Sequence, residues 1–154
     1  MGKIDSFQQL DAWREAHKLV IMVYRVTEQF PNHERFGLVA QMRRAAVSIP
    51  ANIAEGFKRR GVREKIHFYN IAEGSLEELK YYCILSEDLG YFPSKAQKEL
   101  LAQAETVGKI LNGLIARTER RRAAPLIPTP YSLLHTPYSL IHTPYSEEAT
   151  CNPN

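Results

Sequence analysis

Between residues 10 and 118 apolar side chains recur at spacings that alternate between three and four, the period of one helix face, in four separate runs. The first run is Trp13, Ala16, Val20, Val23, Thr27 and Phe30, widened by Leu10, Leu19 and Val26. Ser6 and Gln9 have capping-box spacing, so this helix is expected to begin after Asp5 or Ser6 and to end at Phe30 and Pro31. The second run is Leu38, Met42, Ala45, Ile49 and Ile53, read as one helix over residues 34–60 with Asn32 as N-cap and Glu34 in the first turn. The third opens near Val62, with Tyr69, Ala72, Leu76, Leu79 and Cys83 on its stripe. Beside that stripe Phe68, Ile71, Tyr82, Leu85 and Leu89 form a second apolar face, suited to contact with more than one helix; Gly90 is its C-terminal cap and Pro93 follows. Ser94 and Gln97 repeat the capping-box spacing ahead of Leu101, Ala104, Val107, Leu111, Leu114 and Thr118. Four helices with short connections predict an all-α, antiparallel up-down-up-down four-helix bundle over residues 1–124.

The second helix breaks one rule and carries one unusual row. Pro50 lies inside its apolar pattern, where it removes the bond to the Ala46 carbonyl and crowds it, which costs about 3 kcal/mol in a helix interior. A kink is expected there, with Ser48, Asn52 or water satisfying the bent segment. On another face Gln41, Arg44, Ser48, Asn52, Glu55 and Arg59 follow the same spacing. An amide, a hydroxyl, arginines and one acid make an inventory of directional hydrogen bonding, unlike the Lys and Glu of a merely solvated face. This row is a candidate contact surface.

Composition adds the outer limits. The chain has 154 residues, 44% of them hydrophobic, enough for one domain with a real core. After Arg122 the character changes: TPYSLLH, TPYSLIH and TPYSEEA run in tandem from residue 129 to 149, and a proline in every heptad forbids a continuous helix. Residues 125–154 are therefore expected to form a disordered or polyproline-like tail, with a short linear docking motif as its functional alternative. The tail holds two acids and no Lys or Arg, so the net +3 of the chain becomes +5 on residues 1–124. Cys83 and Cys151 form no CxxC pair, and neither a disulfide framework nor zinc is implied. The first residues lack the apolar core of a secretory signal and no apolar run is long enough to span a bilayer, which makes a cytoplasmic protein the expectation.

Catalytic chemistry finds little support. A carboxylate-bridged metal pair in a helical bundle needs two Glu-x-x-His pairs and inward acids, and only Glu64 with His67 has that spacing. Cys83 sits on an apolar stripe with no cation beside it in sequence, and no phosphate-binding glycine loop exists. No enzyme activity, cofactor, metal or small-molecule substrate is expected. The basic residues are more informative. Lys58, Arg59, Arg60, Arg63 and Lys65 lie at the junction of helices two and three, and Arg117, Arg120, Arg121 and Arg122 end helix four. An up-down-up-down bundle brings these two clusters to one pole, a cap suited to phosphate groups through charge-assisted bonds and counterion release. The helix dipole alone also favours cations at helix C-termini, so a solvated basic pole is the competing reading.

NIAEG occurs twice, at residues 52–56 and 70–74, without flanking similarity; Gly74 is expected to allow another backbone to approach. Phe7, Leu10, Trp13 and Ala16, then Phe30, Pro31 and Glu34, the segment QMRRAAVSIPANIAEG over 41–56, AEGSLEEL over 72–79 and LGY over 89–91 together resemble one family. It is the bacterial four helix bundle proteins related to those encoded in intervening sequences of 23S ribosomal RNA genes. The resemblance spans roughly residues 6–120 and excludes the TPYS tail. It implies a ring assembly, a homopentamer, with no known enzymatic activity. Likeness to basic pentameric accessory proteins of diversity-generating retroelements adds weight to RNA binding. Within the family motif Arg43, Arg44, Ser48 and Asn52 are expected to build either a subunit interface or an RNA-facing surface, unless Glu55 and Glu77 neutralise the arginines as structural ion pairs. Two functions follow: an oligomeric RNA-binding accessory protein, or a scaffold without nucleic acid.

Overall fold

The computed structural model describes residues 4–123, with side chains described through Arg121. The expectations for the tail from residue 125 onward, including its repeats and Cys151, lie outside the described residues.

Four helices carry the described chain: α1, Asp11–Thr27; α2, Leu38–Lys58; α3, Val62–Asp88; and α4, Ser94–Ala123. Packing joins α1 to α2, α2 to α3, α3 to α4 and α4 back to α1, with no close backbone approach across either diagonal. This is the up-down-up-down square, and each helix turns one stripe inward. Leu19, Val23, Met42, Ile49, Ile53, Leu76, Leu79, Leu100, Val107 and Leu111 are its largest fully buried apolar side chains. Each such side chain contributes about 1.5–3 kcal/mol on leaving water. Three stripes match the sequence pattern closely. On α4 the buried position is Leu100 rather than Leu101, and Leu101 and Leu114 are half-buried. Thr27, Ser86 and Thr118 enter the core because each hydroxyl donates to the carbonyl four residues earlier, at 2.8, 2.6 and 2.8 Å.

The helix ends depart from expectation where polar caps act differently. The Ser6–Gln9 capping box forms, but it closes a 3-10 turn over Phe7–Gln9. Leu10 is then extended, and α1 begins only at Asp11. At the other end α1 stops at Thr27, three residues before Phe30, and the Thr27 hydroxyl donates to the carbonyls of Val23 and Tyr24 in its last turn. Asn32 does not cap α2: residues Asn32–Glu34 make a second 3-10 turn and α2 starts at Leu38. Glu34 supplies the missing cap from outside, its Oε2 accepting from the Leu38 amide at 2.9 Å. Ser94 is the first residue of α4 rather than its cap, and the Pro93 carbonyl accepts from Gln97 N at 3.3 Å. Gly90 does close α3: at φ +72° it completes a Schellman motif in which Tyr91 N donates to Ser86 O and Gly90 N to Glu87 O.

Pro50 is buried within an α2 that runs unbroken past it. Around it, Asn52 Nδ2 donates to Ser48 O at 2.8 Å and to Ser48 Oγ at 3.0 Å, holding the turn where the proline ring displaces a ladder bond.

Candidate nucleic-acid interface

The polar row of α2 lies along the seam with α3. Ser48 Oγ meets Ser75 Oγ at 2.9 Å, and Ser75 in turn donates to Ile71 O. Arg44 donates from Nε and Nη2 to Gln41 Oε1 at 3.1 and 2.8 Å, and reaches Glu78 Oε1 at 3.3 Å, an oxygen also held by Tyr82. Arg59 pairs with Glu55 on its own helix and lays its guanidinium over Phe68, 4.7 Å from the ring centre. Its Nε is buried with no acceptor among the described residues. The acid opposite Arg44 is therefore Glu78, while Glu77 points to Lys80, which bridges to Glu105 of α4. Sequence reasoning missed Ser75 and Glu78 and placed Tyr82 on an apolar face rather than against Glu78, although the spacing of three and four across these residues repeats that of the α2 row they face.

Arg43 faces the other way. Its Nε donates to Thr27 Oγ1 at 2.8 Å and its guanidinium stacks on Tyr24 at 4.5 Å, which ties α2 to α1. Gln41, Arg44 and Glu55 remain exposed at the margin of the seam, with Ser48 and Asn52 half-buried within it.

At the pole where α2 ends, α3 begins and α4 ends, the cations divide into two groups. Lys65 is internal in its bonding: Nζ donates to Phe57 O at 2.8 Å and Gly56 O at 3.4 Å, capping the C-terminus of α2 where the dipole favours a cation. Burial lowers its pKa, and the Arg121 guanidinium lowers it further. That second cause requires α4 to bring Arg121 within electrostatic reach of the α2–α3 junction. Lys58, Arg60, Arg63, Arg117, Arg120 and Arg121 are exposed and have no ion pair among the described residues. Arg122 continues α4, and its side chain lies outside the described ones.

The same pole contains a cavity of about 300 Å³ between the start of α1 and the last turns of α4. Ile4, Leu10, Ala12, Ile110 and Leu114 give it apolar walls, and Gln9, Asp11, Arg117 and Arg120 its polar rim. Among the described residues no three His, Cys, Asp or Glu side chains converge as metal ligands, and no helix is long and apolar enough to cross a membrane. Burial pushes the Cys83 thiol up to about 12, far from a thiolate at neutral pH.

Comparison with known proteins places this geometry in context. The family model for the 23S rRNA-intervening sequence protein matches residues 8–113, from the first 3-10 turn well into α4, and stops short of Arg117. Among solved structures the chain is similar to a protein of unknown function from the S23 ribosomal protein family of Bacteroides thetaiotaomicron VPI-5482. Identity is 20%, the match covers 68% of this chain and 97% of that one, and the TM-score is 0.63. No curated protein matches the chain.

Proposed function

This chain belongs to the 23S rRNA-intervening sequence protein family, and we propose that it is a non-enzymatic, homo-oligomeric RNA-binding accessory protein that grips phosphate through its basic pole. The observation that carries the reading is the helix order, which brings the end of α2, the start of α3 and the end of α4 to one pole, where Lys65 caps α2 and the Arg121 charge helps lower its pKa. Six exposed cations there, with no ion pair among the described residues, are available to replace counterions on a nucleic acid. The polar row of α2 contributes less than its sequence suggests, because Arg43, Ser48, Asn52 and Arg59 already bond within the chain. Arg44 likewise bonds Gln41 and Glu78, and its place near the start of α2 sets it apart from the cations at the far end of that helix.

A second reading, a scaffold that assembles without nucleic acid, draws on exposed apolar side chains along the outer faces: Val47 on α2 at 43%, and Tyr81 and Ile84 on α3 at 59% and 46%. Subunit contacts of a ring, the homopentamer implied by the sequence resemblance, would cover such residues. Light scattering on the full chain separates the two. A ring that gains RNA mass at low salt and releases it at high salt supports the first reading. A ring that never gains RNA mass supports the second, and a monomer under every condition removes the assembly from both. With about six phosphate contacts the affinity should fall about 10³-fold between about 50 and 200 mM salt.

A further inference from the structure

The cavity beside the basic pole has a composition that phosphate binding alone does not need. Ile110, Gly113, Leu114 and Arg117 share one face of α4 at spacings of three and four, so one helix supplies apolar wall and cationic rim together. Opposite, Leu10 and the Gln9 carboxamide come from the segment where the chain is extended between the 3-10 turn and α1. The 30-residue α4 outruns the 17-residue α1 at this end, which is why a gap remains between them. Gly113 lines that gap. A glycine inside a helix costs about 0.5–1 kcal/mol against alanine, yet a Cβ at Gly113 would meet nothing within 4 Å. No neighbour within the bundle requires the missing side chain, so a larger residue at this lining position would extend into open space.

The ligand follows from the lining. At about 300 Å³ the cavity is at the low end of small-ligand sites, room for one ring system with its charged group. Arg117 and Arg120, exposed and without an ion pair among the described residues, call for a phosphate, whereas the Asp11 carboxylate is already held by Arg14. Gln9 Oε1 accepts from the Asp5 and Ser6 amides, which leaves its N–H groups to donate to the edge of a polar ring. A hydrocarbon chain would make no use of those donors. We propose that this cavity holds a single unpaired nucleotide, its base against Leu10, Ile110 and Leu114 and its phosphate on Arg117 and Arg120. The inference deepens the RNA-binding reading and rests on it for the natural source, an unstacked residue of single-stranded RNA; a free nucleotide offers the same chemistry.

The test is a methyl and amide NMR titration of the full chain with adenosine 5′-monophosphate, uridine 5′-monophosphate and inorganic phosphate. In parallel, the affinities of a single-stranded oligoribonucleotide and of a blunt RNA duplex are measured. The nucleoside monophosphates should shift the Gly113 amide and the Ile110 and Leu114 methyls, and inorganic phosphate should leave those methyls in place. Gly113→Phe, which fills open space, should weaken mononucleotide binding by on the order of tenfold or more and erase any preference for single strands. Should that variant fail to fold, Arg117→Ala with Arg120→Ala changes only exposed side chains and should give a loss of similar size. Methyls unmoved by mononucleotide, or wild-type binding in both variants, overturn the inference. If RNA binds the pole equally well with the cavity filled, the cavity inference falls and the RNA reading survives. If mononucleotide enters the cavity while no RNA binds, the cavity stands with free nucleotide as its source and the RNA reading falls.

Discussion

Tyr91 Oη donates to Glu34 Oε1 at 2.9 Å across 57 residues of sequence. The other carboxylate oxygen of Glu34 caps α2 through Leu38 N, so one side chain fixes the α3–α4 turn against the start of α2. These two bonds, the Leu38 amide first, hold the Glu34 pKa below its ordinary 4.5. A carboxylate with a depressed folded pKa lends stability that is complete above the unfolded value and disappears as pH falls through the folded one. Acid unfolding monitored by circular dichroism should therefore be shallower below about pH 4.5 in Glu34→Gln than in the wild type. Tyr91 shifts upward against the same carboxylate, so its share of stability holds below pH 10 and is lost as pH climbs through its raised value.

The two NIAEG segments should respond oppositely to alanine. A Cβ on Gly56 would lie 2.6 Å from Tyr69 Cε1 and 3.2 Å from Lys65 O, within the tight α2–α3 junction. Overpacking there predicts a loss of about 1–3 kcal/mol for Gly56→Ala. Gly74 was the glycine expected to admit a neighbouring backbone, from α2 or another subunit; within this chain a Cβ there meets nothing within 4 Å. Gly74→Ala should stabilise the bundle by about 0.4–1 kcal/mol, read from urea midpoints at constant slope.

Arginines of the two faces should separate cleanly by assay. Arg43→Ala removes the bond to Thr27 Oγ1 and the stack on Tyr24, and should reduce stability by about 1–2 kcal/mol with little change in RNA affinity. Arg60→Ala, Arg63→Ala or Arg121→Ala should do the reverse. Each leaves the urea midpoint in place and lowers the magnitude of the salt slope for RNA binding by about one.

Cys83 should be inert while the bundle is folded. Its thiol is buried and pushed up to about 12, so thiolate is nearly absent at pH 8. In a Cys151→Ser variant, alkylation at pH 8 should proceed only as fast as the bundle opens, and rise to the rate of a free thiol in denaturant.

Buried stripes were legible because a 3.6-residue period leaves few other faces to bury, and Met42, Ile49, Leu76, Leu79 and Leu111 sit where that period puts them. Boundaries were less legible. Ser6 and Gln9 satisfy the capping rule equally well over a 3-10 turn as over an α-helix, and nothing local announces that Leu10 turns extended. The α2 row showed the same limit: its hydrogen-bonding inventory was visible, but whether Ser48 meets Ser75 or a ligand depends on which helix lies beside it.

Sequence alone determined the four helices, their inward stripes, the glycine that ends α3 and the two runs of cations, because each follows from the geometry of one helix and its next few residues. Tertiary structure decided what pairwise contact between helices decides. It set Glu78 rather than Glu77 against Arg44, placed Lys65 on the carbonyls at the end of α2, brought the end of α4 to the same pole, and left a cavity lined by Gly113. Such relations depend on helix length and register across the bundle, quantities that no single stretch of the chain contains.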